Sequence, residues 1–333
     1  MVITFLIGNG FDLNLGMKTS FIDVYKEYTA IPSFSPIIKR FKETLRNDAS
    51  MHYETWADFE MGMAEYAETF ENENDFILCI RDFKSFLVKH LKQQERVYVT
   101  KINNFDYGSL VDEFFKSVSN FYDEESKNLI NKIKGFGQVN EINFINFNYT
   151  HTLDAIIKRM NRNYRFLSLP IHIHGELGND VVLGVNNVEQ IKNNKFRTSK
   201  KVKRAFVKPD FNYEYDEARV NSALFSIESS NIVCAFGMSF GDSDKMWIDE
   251  IIQLLKSDNK NQFFLFIHGL GQYDRMHRDL IMDVEDEKKV EFLKRIGFDE
   301  NNLDSIIDQI HIPITKKIFE FNNIPVNDVK ELA

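Results

Sequence analysis

Apolar residues along this chain follow two distinct rhythms. The first is a short, nearly unbroken run closed by small or polar residues. Val2-Ile3-Thr4-Phe5-Leu6-Ile7 ends at Gly8-Asn9-Gly10, and Ile232-Val233-Cys234-Ala235-Phe236 ends at Gly237. Ile142 to Phe147, Leu169 to His174, Val181 to Val185 and Phe263 to Ile267 are similar, with a further candidate at Ile306 to Ile312. Runs of this length with apolar residues on both faces predict strands of a parallel sheet covered by helices. The second rhythm has three- and four-residue steps. Phe76, Ile80, Phe83, Leu87 and Leu91 follow it, as do Leu110, Phe114, Val118 and Phe121. Between residues 37 and 134 there is no proline, and the only glycines are Gly62 and Gly108. That stretch predicts helices. Helices are also predicted over Thr150 to Met160, Ser243 to Lys256 and Asp286 to Ile296. The expected fold is α/β, with a Rossmann-like parallel sheet whose first strand is the N-terminus. Residues 1–31 and 139–333 form its core, and 32–138 a helical insertion.

Composition narrows the function. The chain has 333 residues and a formal charge of −9, which argues against a general nucleic-acid binder. Its two cysteines, Cys79 and Cys234, cannot build a zinc module of about four ligands, and they fit a reducing cytosol. No run approaches the roughly 18 apolar residues of a membrane span. The N-terminal run has no basic residue before Lys18, so it reads as a strand and not a signal peptide. These features predict a cytoplasmic protein with no membrane partner. One segment opposes the acidic balance. Residues 192–208 carry Lys192, Lys195, Arg197, Lys200, Lys201, Lys203, Arg204 and Lys208 and no acid. A solvated face explains most such runs, but this one can also receive phosphates, a nucleic acid or an acidic neighbour.

Eight of the 15 glycines gather in three clusters, at 8–16, 175–184 and 237–241. Each cluster adjoins the end of an expected strand, where open α/β sheets bind ligands. At the first, Gly8, Asn9, Gly10, Phe11 and Asp12 form a glycine turn that can admit a phosphate or simply shape the chain. Thr19 or Ser20 can cap the helix that follows. At the second strand end, Asn148 and Tyr149 precede a helix, and Asn148 can be a turn former or a ligand group. In Ile171-His172-Ile173-His174-Gly175, strand alternation places both histidines on one face. Each can be an acid, a base or a satisfied core residue, and a metal pair would still need a third ligand. Gly237, Ser239 and Asp244 follow the fourth strand, with Ser243 as a possible cap.

Taken together, Ile7 to Asp12, Lys18 to Phe21, Trp56 to Glu60, Phe147 to Thr150, His172 to Gly175 and Gly237 to Ser239 resemble the bacterial abortive-infection AbiH family. That family in turn resembles a divergent branch of the sirtuin-like NAD-binding fold. Gly8 and Gly10 match its glycine turn, Asn148 the asparagine of its Thr-Gln-Asn-Ile-Asp motif, and His174-Gly175 its His-Gly pair. Gly237 and Ser239 match its Gly-x-Ser strand end. The resemblance implies NAD as substrate, hydrolysed at the nicotinamide–ribose bond, with Asn148 and His174 catalytic and no metal. Gly8, Asn9, Gly10, Phe11, Asp12, Thr19, Tyr149, Gly237, Ser239 and Asp244 would then hold the dinucleotide. Phe147 and Thr150 depart from the motif where sirtuins have glutamine and an aspartate that helps hold the nicotinamide amide. His151 or Asp154 is the candidate replacement. A toxic NAD hydrolase implies an off state, released by a phage-derived trigger or by assembly into a homo-oligomer. Two rival expectations are a non-catalytic nucleotide-binding sensor or scaffold of phage defence, and metal-dependent phosphoester hydrolysis through His172 and His174.

Overall fold

The computed structural model describes residues 1–52, 56–119, 139–179, 181–208, 217–240, 244–267, 278–297, 306–313 and 318–326. A six-stranded sheet organises them. Its strands are β1 (Val2–Ile7), β2 (Glu141–Asn146), β3 (Ile171–His172), β4 (Ile232–Phe236), β5 (Gln262–Phe266) and β6 (Ile310–His311). Every pairing is parallel and the order is β3-β2-β1-β4-β5-β6. This is the Rossmann order, and the winding direction reverses between β1 and β4. A crevice opens at the carboxyl ends of strands at such a reversal. Gly8, Asn148, His174 and Gly237 all lie just past strand ends that flank it.

The alternation of β1 feeds two apolar layers. Ile3, Phe5 and Ile7 face one side with Phe144, Leu153, Ile156 and Phe114, while Leu6 faces the other with Val233, Trp247, Ile251 and Leu265. The helices are α1 (Gly10–Asn14), α2 (Phe21–Ala30), α3 (Pro36–His52), α4 (Trp56–Tyr66), α5 (Glu73–Asn103) and α6 (Tyr107–Ser119) before β2. Later come α7 (Thr152–Asn161), α8 (Asn194–Arg197), α9 (Lys200–Phe206), α10 (Glu217–Glu228), α11 (Lys245–Ser257) and α12 (Arg278–Arg295). Helix α5 runs 31 residues from an Asn72 cap that accepts the Asp75 amide. Its buried stripe, Phe76, Ile80, Phe83, Leu87 and Leu91, is the one read from the three- and four-residue spacing.

The helical segment between β1 and β2 serves two cores. Phe41, Phe59, Ile80 and Phe83 pack with Phe21 and Tyr28 of α2 and with Val202 and Phe206 of α9. Ile102, Phe105, Leu110 and Phe114 instead cover the sheet itself. Phe121 of the expected helical stripe lies outside the described residues.

Three expected strands change. Leu169 to His174 shortens to β3, because Pro170 has no N–H for the ladder and the chain turns after His172. Val181 to Val185 forms only isolated bridges, Gly175 with Val181 and Val185 with Val207. The run at 306–312 contributes only β6, after a 3-10 turn at Ile307–Gln309. Helix α12 starts well before Asp286. No described helix is long and apolar enough to cross a membrane.

Candidate functional site

The chain turns at the ends of β1 and β4 touch backbone to backbone. The Gly8 amide donates to the Phe236 carbonyl at 2.9 Å and the Gly10 amide to the Gly237 carbonyl at 3.1 Å. A Cβ on Gly10 would stand 2.4 Å from Gly237 Cα, and one on Gly8 2.4 Å from the Gly237 oxygen. The glycines are therefore required by the contact of two protein turns, and their amides are spent on it. Gly10→Ala is expected to cost about 1–3 kcal/mol by overpacking, read as a lowered midpoint of thermal unfolding.

Side chains lock the rest of the turn. Asn9 and Thr19 clamp each other: the Thr19 hydroxyl donates to Asn9 Oδ1 at 2.7 Å, and Asn9 Nδ2 donates to the Thr19 carbonyl at 2.9 Å. Ser20 caps α2, accepting the Asp23 amide at 3.1 Å. Asn148 Nδ2 donates to the Gly8 carbonyl at 3.0 Å, which fixes the end of β2 to the glycine turn. Among the described residues its Oδ1 has no hydrogen-bond donor.

These turns enclose a cavity of about 490 Å³. Gly8, Asn9, Gly10, Asp12, Thr19, Asn148, Tyr149, His174, Gly237, Ser239 and Asp244 all line it. Phe11 does not: its buried ring packs on Phe236, Phe319 and Phe321 beneath the sheet's end. The one-face expectation for the two histidines also fails. His172 is buried in β3 against α7, with Nε2 2.9 Å from Asp154 Oδ2 and Nδ1 3.0 Å from the Asn148 carbonyl. His174, beyond the strand, swings into the cavity beside Phe147 and Tyr149. The two histidines thus belong to different environments. Among the described residues no group of three or more His, Cys, Asp or Glu is placed to hold a metal ion.

Burial tunes the titrating groups. His174 is held well below the usual histidine value by burial, then by the nearby Lys208 charge, so it is a neutral imidazole. Asp12 is pushed up to about 6 by burial, against the hydroxyls of Thr150 and Thr152, each 2.6 Å from a carboxylate oxygen. Ionised Asp12 therefore costs the fold up to about 3 kcal/mol above pH 6, relieved as pH falls from 6 toward 3.8. Asp12→Asn is expected to raise the unfolding midpoint at pH 8 and to gain nothing at pH 4.

Two groups that no local spacing connects complete the wall. Glu60 of α4 and Lys208, which follows α9, are 148 positions apart and pair at 2.6 Å, both buried. Glu60 Oε1 also accepts the Gly184 amide at 3.1 Å. Lys208 is the one member of the 192–208 run that lines the cavity; Lys192, Lys195, Lys200, Lys201 and Arg204 are exposed. Among the described lining residues the acids are Asp12, Glu60, Asp244 and Glu291 and the cations are Lys208 and Lys288, with Lys208 paired to Glu60 and Lys288 to Glu291.

The strand ends that build this cavity are shared with a known family. The family model described as bacteriophage abortive infection AbiH matches residues 4–266. The chain belongs to the AbiH family. Comparison with curated proteins gives no match. The matched span begins in β1 and ends with β5, so it carries every strand end that lines the cavity in this AbiH chain. Membership assigns it a role in bacteriophage abortive infection.

Proposed function

We propose that this chain acts in abortive infection by hydrolysing NAD at the nicotinamide–ribose bond, on a core of sirtuin-like descent. The observation that carries the reading is the convergence of Asn148 and His174 on one cavity across the sheet's reversal point, where dinucleotides lie in this architecture. Breaking that bond leaves positive charge on the sugar as neutral nicotinamide departs with the bonding pair. Carboxylates in the wall, Asp12 and Asp244, stabilise such a cation. A neutral His174 takes the proton from the attacking water. The Oδ1 of Asn148 orients that water or a ribose hydroxyl. The cluster of perturbed groups, Asp12, Glu60, Tyr149 and His174, also supports a functional site.

A non-catalytic nucleotide sensor is the second reading. It is favoured by the use of the Gly8 and Gly10 amides within the protein, which leaves neither for a pyrophosphate. Nicotinamide release separates the two. Wild type, with and without phage lysate, is incubated with NAD and compared with Asn148→Ala and His174→Ala. Hydrolysis predicts release by wild type and loss in both variants. Binding of NAD without release under every condition would leave the sensor reading standing.

A further inference from the structure

Nicotinamide presents a primary carboxamide, an acceptor oxygen beside two N–H donors, on a flat apolar ring. A protein that selects it must place a donor next to an acceptor at the edge of an apolar slot. The turn after β2 supplies no carboxylate for this, since it reads Phe147-Asn148-Tyr149-Thr150. His151 and Asp154 do not fill the gap. His151 bridges Glu95 at 3.1 Å and Glu176 at 3.0 Å, and Asp154 holds His172 at 2.9 Å. Both residues line a different groove, between α5, α6 and α7.

Glu60 and Lys208 have the required chemistry and place. Their side chains are 7% and 8% exposed, yet both line the cavity. The mutual bond uses one of the three ammonium donors, and the carboxylate keeps lone pairs beyond its bonds to Lys208 and Gly184. Glu60 holds the Gly184 amide and the Lys208 amide donates to the Val185 carbonyl at 2.8 Å, while Val182 of the same segment donates its amide to the His174 carbonyl at 2.7 Å and accepts the Tyr149 hydroxyl at 2.9 Å. The pair is therefore on the β2–β3 side of the crevice, with Asn148 and His174. Met238, Ser239 and Asp244 lie on the opposite, β4 side. Phe21, whose ring stacks on Phe59 at 4.6 Å, gives the same cavity an apolar wall.

We infer that the buried Glu60–Lys208 pair is the carboxamide-recognition element of this site, with Lys208 Nζ donating to the amide oxygen and a Glu60 oxygen accepting from the amide nitrogen. The inference rests on the dinucleotide reading above and adds its base specificity. A nicotinic-acid counterpart would set its carboxylate against Glu60 and lose the acceptor's N–H partner.

The test is titration calorimetry of the full chain with carbocyclic NAD, which cannot be cleaved, and with its carbocyclic nicotinic-acid counterpart. Wild type is expected to prefer the amide by about tenfold or more. Glu60→Gln/Lys208→Met removes both charges together, and is expected to bind the two ligands within about twofold of each other. Equal binding by wild type overturns the inference and leaves the dinucleotide site in place. Binding of neither ligand overturns both. A folded double variant that still discriminates also overturns the inference. Competition by free nicotinamide but not nicotinate on wild type supports it without any variant, and equal competition counts against it.

Discussion

His174→Ala is expected to lower nicotinamide release by about 10²- to 10⁴-fold, the usual contribution of a positioned acid or base. The side chain lies at the cavity wall beyond the end of β3, so its loss removes little packing from the sheet. The pH profile gives an independent reading. Catalysis needs the neutral imidazole, and burial with the Lys208 charge holds His174 well below its usual 6.5. Activity is therefore expected to persist as pH falls below 6.5, where an ordinary histidine base would be silenced. Removing the Lys208 charge should move this acid limb upward. The same residue affects stability with a definite sign. Its folded pKa is depressed, so stability is fully present above 6.5 and declines as pH falls through and below that value. His174→Ala should shrink that acid-side decline. An unchanged rate of nicotinamide release in His174→Ala would remove this residue from the mechanism.

Glu60→Ala is expected to destabilise the protein by about 3–5 kcal/mol, because it leaves the Lys208 ammonium buried without its counter-charge. The effect should reach beyond one contact. Glu60 Oε1 also holds the Gly184 amide, and Lys208 donates its own amide to the Val185 carbonyl at 2.8 Å. The pair thus fastens α4 to the chain around Gly184 and Lys208. Glu60→Gln/Lys208→Met should recover most of the loss, since removing a buried pair together avoids the stranded charge. Urea unfolding of wild type, both single variants and the double variant measures the coupling. Near-additive losses would show that the two charges do not depend on each other.

Part of the site is legible in the order of residues. Gly8, Asn148, His174 and Gly237 each follow an apolar run, and each of these four runs, closed by small or polar residues, holds a strand of the sheet, whereas the similar run Val181 to Val185 does not. The fit of Ser20 to its cap is also local, since the hydroxyl and the Asp23 amide are three residues apart. Other features are not legible there. Alternation predicts one face for His172 and His174, but that rule holds only while the strand continues, and β3 stops at His172. Phe11 sits inside the glycine motif yet turns its ring into the core. The small residues at Gly8 and Gly10 suggest room for a phosphate, whereas the room is filled by the turn after β4.

The α/β class, the run of strands and long helices, and the strand ends from which a site can be built are thus written into the chain. They follow from local periodicity and local sterics, which act over a few residues. Folding adds the rest: which ends meet, that Gly8 and Gly10 serve Gly237, and that Glu60 meets Lys208 across 148 positions. Such contacts arise from strand order and packing, and no spacing along the chain encodes them. The neutral state of His174 belongs to the same class, because burial and a neighbouring ammonium exist only once the chain has folded.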